Sequence, residues 1–228
     1  MVFKFKNIKI LYRIIIDMVY YSQIGQDKWV HSIIGNKQDG YFIELGACDG
    51  VYLSNTLFFE RELGWNGICI EPNDAYFGTL KNNRKCNLSS ELVSSESYRV
   101  VDFSICEAAS GIADENIGPF TSKTNTVKKV TKTLADILDS VNAPTIIDYL
   151  SLDVEGHEYS ILSTFPFDKY KFRCMTVEHN EPHQGPKQQM LIREILEKNG
   201  YKYVKGNDDV HNWGHGPIDD FYINTNLV

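Results

Sequence analysis

Two short runs concentrate the side chains able to move protons or hold cations. One is Ser151-Leu-Asp153-Val-Glu155-Gly-His157-Glu158, the other Glu178-His179-Asn180-Glu181. Each follows an apolar stretch, Thr145–Leu152 and Phe172–Val177, with the length and composition of a buried strand. Carboxylates and imidazoles are costly to bury there without a role. Asp153 and Glu155 face the same side if the strand persists. Two neighbouring strand ends would thus aim oxygen and imidazole groups at one point. Carboxylate oxygens suit Mg²⁺ or Mn²⁺, and histidine also admits Zn²⁺. The chemistry is that of a divalent ion holding a substrate hydroxyl, with a base to take its proton. Asp153, Glu155, His157 and His179 are the candidate catalytic groups. A hydrogen-bonded acid and histidine network without metal fits the same residues.

A second constellation sits earlier. The run Tyr41–Leu45 leads into Gly46-Ala-Cys-Asp49-Gly50, which lets the backbone turn tightly and approach a ligand. It lacks the third glycine of a dinucleotide fingerprint, and Asp49 would repel a pyrophosphate. An acidic, glycine-bearing loop suits a ligand with a cationic amino group. The next strand ends at Glu71, which can accept from a ribose diol. The third ends at Cys106-Glu107-Ala108, where Glu107 could accept from an adenine amino group with Ala108 against the ring; Asp102 is a weaker candidate. Gln23 would lie over the ligand's carboxylate. Together these favour a nucleoside bearing an ammonium and no phosphate, a description that S-adenosylmethionine fits.

Alternating strand-like and helical runs must position these groups. Strands are expected at Tyr41–Leu45, Gly67–Ile70, Tyr98–Cys106, Thr145–Leu152, Phe172–Val177, Tyr201–Lys205 and Phe221–Asn224. Helices are expected at Leu53–Leu63, from Asn73 or Asp74 to Asn83, and at Val130–Ser140, Gly156–Phe165 and Lys187–Asn199. Residues 86–97 read as an exposed Ser/Glu-rich loop, and 110–130 as a loop with room for a short strand. This order predicts a single α/β domain with a mostly parallel sheet, helices on both faces and an antiparallel hairpin at one edge. In such folds ligands bind outside the carboxyl ends of the strands. The tail His211-Asn-Trp213-Gly-His215 could wall the acceptor side and stack on a sugar.

The 228 residues hold 23 Lys plus Arg against 30 Asp plus Glu, a net charge of −7. That balance argues against a nucleic-acid partner, and no motif for reading a flipped base is present. Five cysteines without CxxC or zinc spacing point to free thiols in a reducing, cytoplasmic compartment. No apolar run reaches the roughly 18 residues of a membrane span. Residues 1–20 read as an amphipathic helix, with Ile10, Ile14 and Met18 on one face, packing on this domain, a second copy or a neighbouring domain. Residues 21–228 read as the main domain.

At this point the motifs match a known pattern. Tyr-Ser-Gln-Ile-Gly-Gln-Asp (from Tyr21), Gly-Tyr-Phe-Ile-Glu-Leu-Gly-Ala-Cys-Asp-Gly-Val-Tyr-Leu-Ser-Asn-Thr (from Gly40), Ile-Glu-Pro (from Ile70), Thr-Leu-Ala-Asp-Ile-Leu (from Thr133) and Leu-Asp-Val-Glu-Gly-His-Glu (from Leu152) occur in this order. The chain resembles the FkbM family of S-adenosylmethionine-dependent methyltransferases over about Tyr21 to Asn180. The resemblance implies a Rossmann-like class I methyltransferase fold with a seven-stranded sheet, and O-methylation of sugar or polyketide hydroxyls. It implies that Glu44, Gly46 and Asp49 line the methionine end, that Glu71 holds the ribose, and that Ser54, Asn55 and Thr56 close the pocket. The acidic positions also resemble those of metal-dependent sugar and catechol O-methyltransferases. By that likeness Asp153 and Glu178 hold Mg²⁺ with His179 or Asn180 beside them, and Glu155 is the base with His179 its rival.

The expected function is transfer of a methyl group to a hydroxyl of a sugar or glycan, assisted by a divalent metal and a base. The alternatives are a metal-independent O-methyltransferase of a polyketide-type small molecule and a non-catalytic cofactor-binding subunit. A binder has no need of the acid/histidine cluster, so that cluster discriminates the last.

Overall fold

The computed structural model describes residues 18–113, 125–206 and 218–228. The expected helix over 1–20 falls almost wholly outside them, and so do His211, Trp213 and His215. The elements in chain order are α1 (Gln26–Ile34), β1 (Tyr41–Leu45), α2 (Leu57–Leu63), β2 (Asn66–Ile70), α3 (Asp74–Asn83), β3 (Asn87–Ser89), β4 (Leu92–Val93), β5 (Val100–Ser104), β6 (Gly111–Ile112), β7 (Thr126–Lys132), α4 (Leu134–Ser140), β8 (Ile146–Leu152), α5 (Glu158–Ser163), β9 (Lys171–Glu178), α6 (Glu181–Gln184), α7 (Lys187–Lys198), β10 (Tyr201–Gly206) and β11 (Asp219–Asn224).

Seven strands form one sheet in the order β10-β11-β9-β8-β1-β2-β3. The pairs β8–β9, β8–β1, β1–β2 and β2–β3 are parallel. The β10–β11 hairpin and its junction with β9 are antiparallel. This is the expected class I arrangement, with chain order reversing between β1 and β8. Strand alternation divides the core between two faces. Ile43, Leu45, Leu150 and Met175 pack under α4, α5 and α7, through Leu134, Ile137, Ile161, Ile192 and Leu196. Phe42, Cys69, Tyr149 and Cys174 face α1, α2 and α3, through Val30, Phe58, Phe59 and Leu80. Each buried large apolar side chain contributes about 1.5–3 kcal/mol. The helices begin and end where local chemistry dictates. Asn73 accepts from the Ala75 N–H at the start of α3, and Thr133 accepts from Asp136 at the start of α4. Left-handed Gly64 (φ 66°) stops α2.

The third strand of the main sheet corrects the sequence reading. It is Asn87–Ser89, inside the run read as an exposed loop, and not Tyr98–Cys106. Three residues, two of them polar, carry no strand periodicity; parallel pairing of Asn87, Leu88 and Ser89 with Ile68, Cys69 and Ile70 defines them. The Tyr98–Cys106 run instead supplies β5 of a separate four-stranded sheet, β4-β7-β5-β6. Its β7 takes residues assigned to a loop and the start of a helix, so that helix begins only at Leu134. The Leu53 end of the second helix is a turn, and α2 begins at Leu57. Among the described residues no helix is long and apolar enough to cross a membrane. All five cysteines are free thiols.

Candidate active site

A cavity of about 420 Å³ opens where β1 and β8 diverge, at the carboxyl ends of the parallel strands. That volume lies within the roughly 300–1,000 Å³ of small-molecule sites. Its floor begins at Gly46 (φ +75°), where a Cβ would lie 2.1 Å from the Asp153 carbonyl oxygen. Glycine there lets the ends of β1 and β8 touch. Four non-glycine residues in the left-handed region also line the cavity: Cys48 (φ 47°), Leu53 (φ 55°), Glu155 (φ 59°) and Asn180 (φ 50°). Such strain costs of order 1–3 kcal/mol per residue and concentrates at ligand sites.

One end of the cavity is apolar. Ile70, Pro72, Leu92, Phe103, Ala108 and Ile112 line it, and Leu92, Phe103 and Ile112 form the core of the small sheet. Glu71 stands beside them, accepting from the Cys48 N–H (2.8 Å) and the Asn73 N–H (2.7 Å). Burial raises its pKa, an effect those two donors partly offset.

The other end is acidic. Asp153, Glu155 and Glu178 each offer an oxygen, and the three atoms lie within 4.8 Å of one another. Burial, then repulsion from Glu155, pushes the Asp153 carboxyl well above the usual range. Burial, then Asp153, does the same to Glu178. Burial and Glu158 push Glu155 to about 7. Glu178 Oε2 is buried without a hydrogen-bond partner. Three hard oxygen donors with such a surplus of negative charge fit a divalent cation of the Mg²⁺ or Mn²⁺ class. His157, 6% exposed, lines the same end. Glu158 holds the loop from below, accepting from the Val154 N–H (2.9 Å) and the Gly156 N–H (3.1 Å).

The other expected site residues separate into those at the cavity and those away from it. Gln23, Glu44, Ser54, Asn55 and Ala108 line it. The Glu44 carboxylate is spent internally, accepting from Ser54 Oγ (3.0 Å), the Asn55 N–H (2.6 Å), Thr56 Oγ1 (2.7 Å) and Arg84 Nη1 (3.0 Å). Asn55 donates to Ser151 Oγ (2.8 Å), and its Oδ1 is buried without a partner. Asp49 is not at the cavity; it shapes the loop by accepting from the Val51 and Tyr52 N–H groups. Asp102 lies on the small sheet, paired with Lys128 at 2.8 Å, and Glu107 is exposed; neither lines the cavity. Glu91, just past the reassigned third strand, lines the cavity instead.

His179 corrects the ligand expectation. Alternation turns it away from Glu178 and out of the cavity. Its Nδ1 accepts from the Glu181 N–H (3.0 Å), while Nε2 faces Asp220 (3.4 Å) and Gln189 (3.1 Å). Glu155 therefore completes the acidic trio. Sequence reasoning also passed over Gln26. It is buried, lines the cavity, and donates to Asp219 Oδ2 (2.9 Å) from across the chain.

The chain's residues 44–203 match the family model described as the methyltransferase FkbM domain. No curated protein matches in sequence. Similar solved structures include the magnesium protoporphyrin IX methyltransferase of Synechocystis PCC 6803 with bound S-adenosylmethionine. It is 10% identical over 87% of this chain and 76% of that one, with a TM-score of 0.48. The precorrin-6y C5,15-methyltransferase of Geobacter metallireducens GS-15 is 12% identical over 86% of each chain, TM-score 0.46. Methyltransferase FkbM of Methylobacillus flagellatus KT is 14% identical over 82% of this chain, TM-score 0.47, and this chain spans 44% of its length. With more than half of its length matched by the family model, the chain belongs to the FkbM family of S-adenosylmethionine-dependent methyltransferases.

Proposed function

We propose that this protein O-methylates a sugar hydroxyl, with S-adenosylmethionine as donor, a divalent cation at Asp153 and Glu178, and Glu155 beside them as the base. One observation carries the reading: an acidic trio sits in the same cavity as an apolar, nucleoside-sized end. The cofactor supplies a methyl made electrophilic by its sulfonium. Ile70, Pro72, Leu92 and Phe103 provide the apolar bed for its adenine, and Glu71 a carboxylate for the ribose. The Gly46 turn admits the methionine portion, and Asn55 Oδ1 is an acceptor for its ammonium. Bound Mg²⁺ or Mn²⁺ would lower the pKa of the acceptor hydroxyl. Glu155 stands where it can take the hydroxyl proton, and His157 walls the same end. Holding the hydroxyl in line with the methyl is the larger contribution, since positioning supplies up to about 7–11 kcal/mol in favourable cases.

The test is S-adenosylhomocysteine formation on neutral sugar acceptors with Mn²⁺ present, read with the acceptor's gain of one methyl by mass spectrometry. Transfer by the wild type, lost in Asp153→Asn and on chelation, supports the reading. Transfer that persists undiminished in both overturns the metal assignment. Cofactor binding with no transfer to any hydroxyl overturns the O-methyltransferase reading.

A further inference from the structure

The charge of the cavity wall limits what can enter beside the cofactor. Glu44, Glu71, Glu91, Asp153, Glu155 and Glu178 line it, and among its described lining residues there is no Lys or Arg. Glu44 is answered by Arg84 at 3.0 Å and Glu91 by Lys132 at 3.5 Å, both from outside the cavity. Glu71, Asp153, Glu155 and Glu178 form no ion pair with a described cation. The unpartnered atoms point the same way. Glu178, 7% exposed, has Oε2 without a donor, and Asn55, 9% exposed, has Oδ1 without one. Both are acceptors, and both residues line the cavity. With a divalent cation and the cofactor, whose net charge is +1, the four unanswered carboxylates still leave an excess of about one negative charge. Among the described lining residues an incoming anion would find no Lys or Arg to hold it, and four carboxylates without a paired cation. Like charges at such separations, partly buried, repel by several-fold more than in water.

We propose that the acceptor is uncharged or amine-bearing at its reacting sugar, and that phosphorylated, nucleotide-linked and uronic acid sugars are rejected. This rests on the sugar O-methyltransferase reading and narrows it to one charge class. No group is transferred in the selection itself; the discrimination is electrostatic.

The experiment measures binding to the full chain saturated with S-adenosylhomocysteine and Mg²⁺, by saturation-transfer NMR. The probes are the neutral, 2-amino, uronic and 1-phosphate forms of glucose, galactose and mannose. The expected result is binding of a neutral or 2-amino sugar, with its uronic and 1-phosphate forms at least about tenfold weaker, a difference of ~1.4 kcal/mol. In Glu155→Gln the penalty against the anionic forms should shrink, because a carboxylate is removed without loss of shape. Anionic forms that bind as well as neutral ones overturn the charge selection and leave the sugar reading standing. An undiminished penalty in Glu155→Gln also overturns it, since the discrimination would then not arise from this wall. Binding of none of the probes, with S-adenosylhomocysteine still bound, overturns the sugar reading and the selection with it.

Discussion

Asp153 and Glu178 leave the sheet side by side. Leu152 pairs with Val177 in the parallel β8–β9 ladder, so the next residue on each strand is a carboxylate, and both turn into the same cavity. Backbone register thus brings the two acids together despite their mutual repulsion.

That enforced proximity has a stability consequence. Burial raises the Glu178 pKa above its unfolded value, so folding grows less favourable as pH rises through that interval. Glu178→Gln removes the penalty. The variant should melt a few degrees higher than wild type near pH 8, with little difference near pH 4, measured by calorimetry without added metal. For a chain of this size about 1 kcal/mol corresponds to roughly 2–4 °C. A lower melting temperature at pH 8 would show that the carboxylate is stabilising.

Asp220 has the opposite sign. Burial opposes its ionisation, yet hydrogen bonds from Arg193 and His179 outweigh burial and hold its pKa at about 2. Arg193 Nε lies 2.6 Å away. A depressed pKa contributes stability above the unfolded value near 4, lost as pH falls towards 2. Asp220→Asn should therefore cost about 2 kcal/mol at neutral pH and flatten the acid limb between pH 4 and 2, checked by urea denaturation across that range.

Arg84 is the hub that fixes the loop after β1. Its guanidinium donates to Glu44, Glu60, Thr56 and the Gly50 carbonyl, and its side chain is wholly buried. Arg84→Met strands the buried Glu44 carboxylate and the partly buried Glu60. A loss of about 3–5 kcal/mol is expected by urea denaturation, and near-wild-type stability would contradict that role.

At Gly46 the demand is steric. An added Cβ would collide with the Asp153 carbonyl, in a backbone conformation that favours glycine. Gly46→Ala should weaken S-adenosylhomocysteine binding by at least about tenfold by displacing the Asp153 loop, read by calorimetry.

Much of this was legible in the residues. The strands that lead to Glu44, Glu71, Asp153 and Glu178 are apolar runs long enough to read directly, so the mostly parallel sheet with its edge hairpin and the acidic strand ends followed. The apolar end of the cavity was not legible. Asn87–Ser89 is too short and too polar to announce a strand; only pairing with β2 makes it one. The longer run Tyr98–Cys106 displaced it in the reading, and Glu107 and Asp102 were carried along, whereas Glu91 is the acid that lines the cavity there. His179 was misassigned for a simpler reason. It adjoins Glu178 in sequence, and on a strand adjacency puts side chains on opposite faces. Gln26 needs a contact with Asp219 from the far end of the chain, which no local pattern reveals.

The most direct measurement is titration of the protein with S-adenosylhomocysteine by calorimetry, with and without Mn²⁺, alongside electron paramagnetic resonance of Mn²⁺ itself. The account predicts S-adenosylhomocysteine binding on the order of micromolar. It also predicts a single Mn²⁺ site that Asp153→Asn and Glu178→Gln each abolish. No binding of S-adenosylhomocysteine under any condition would contradict the cofactor site. Mn²⁺ binding unchanged in both variants would contradict Asp153 and Glu178 as its ligands.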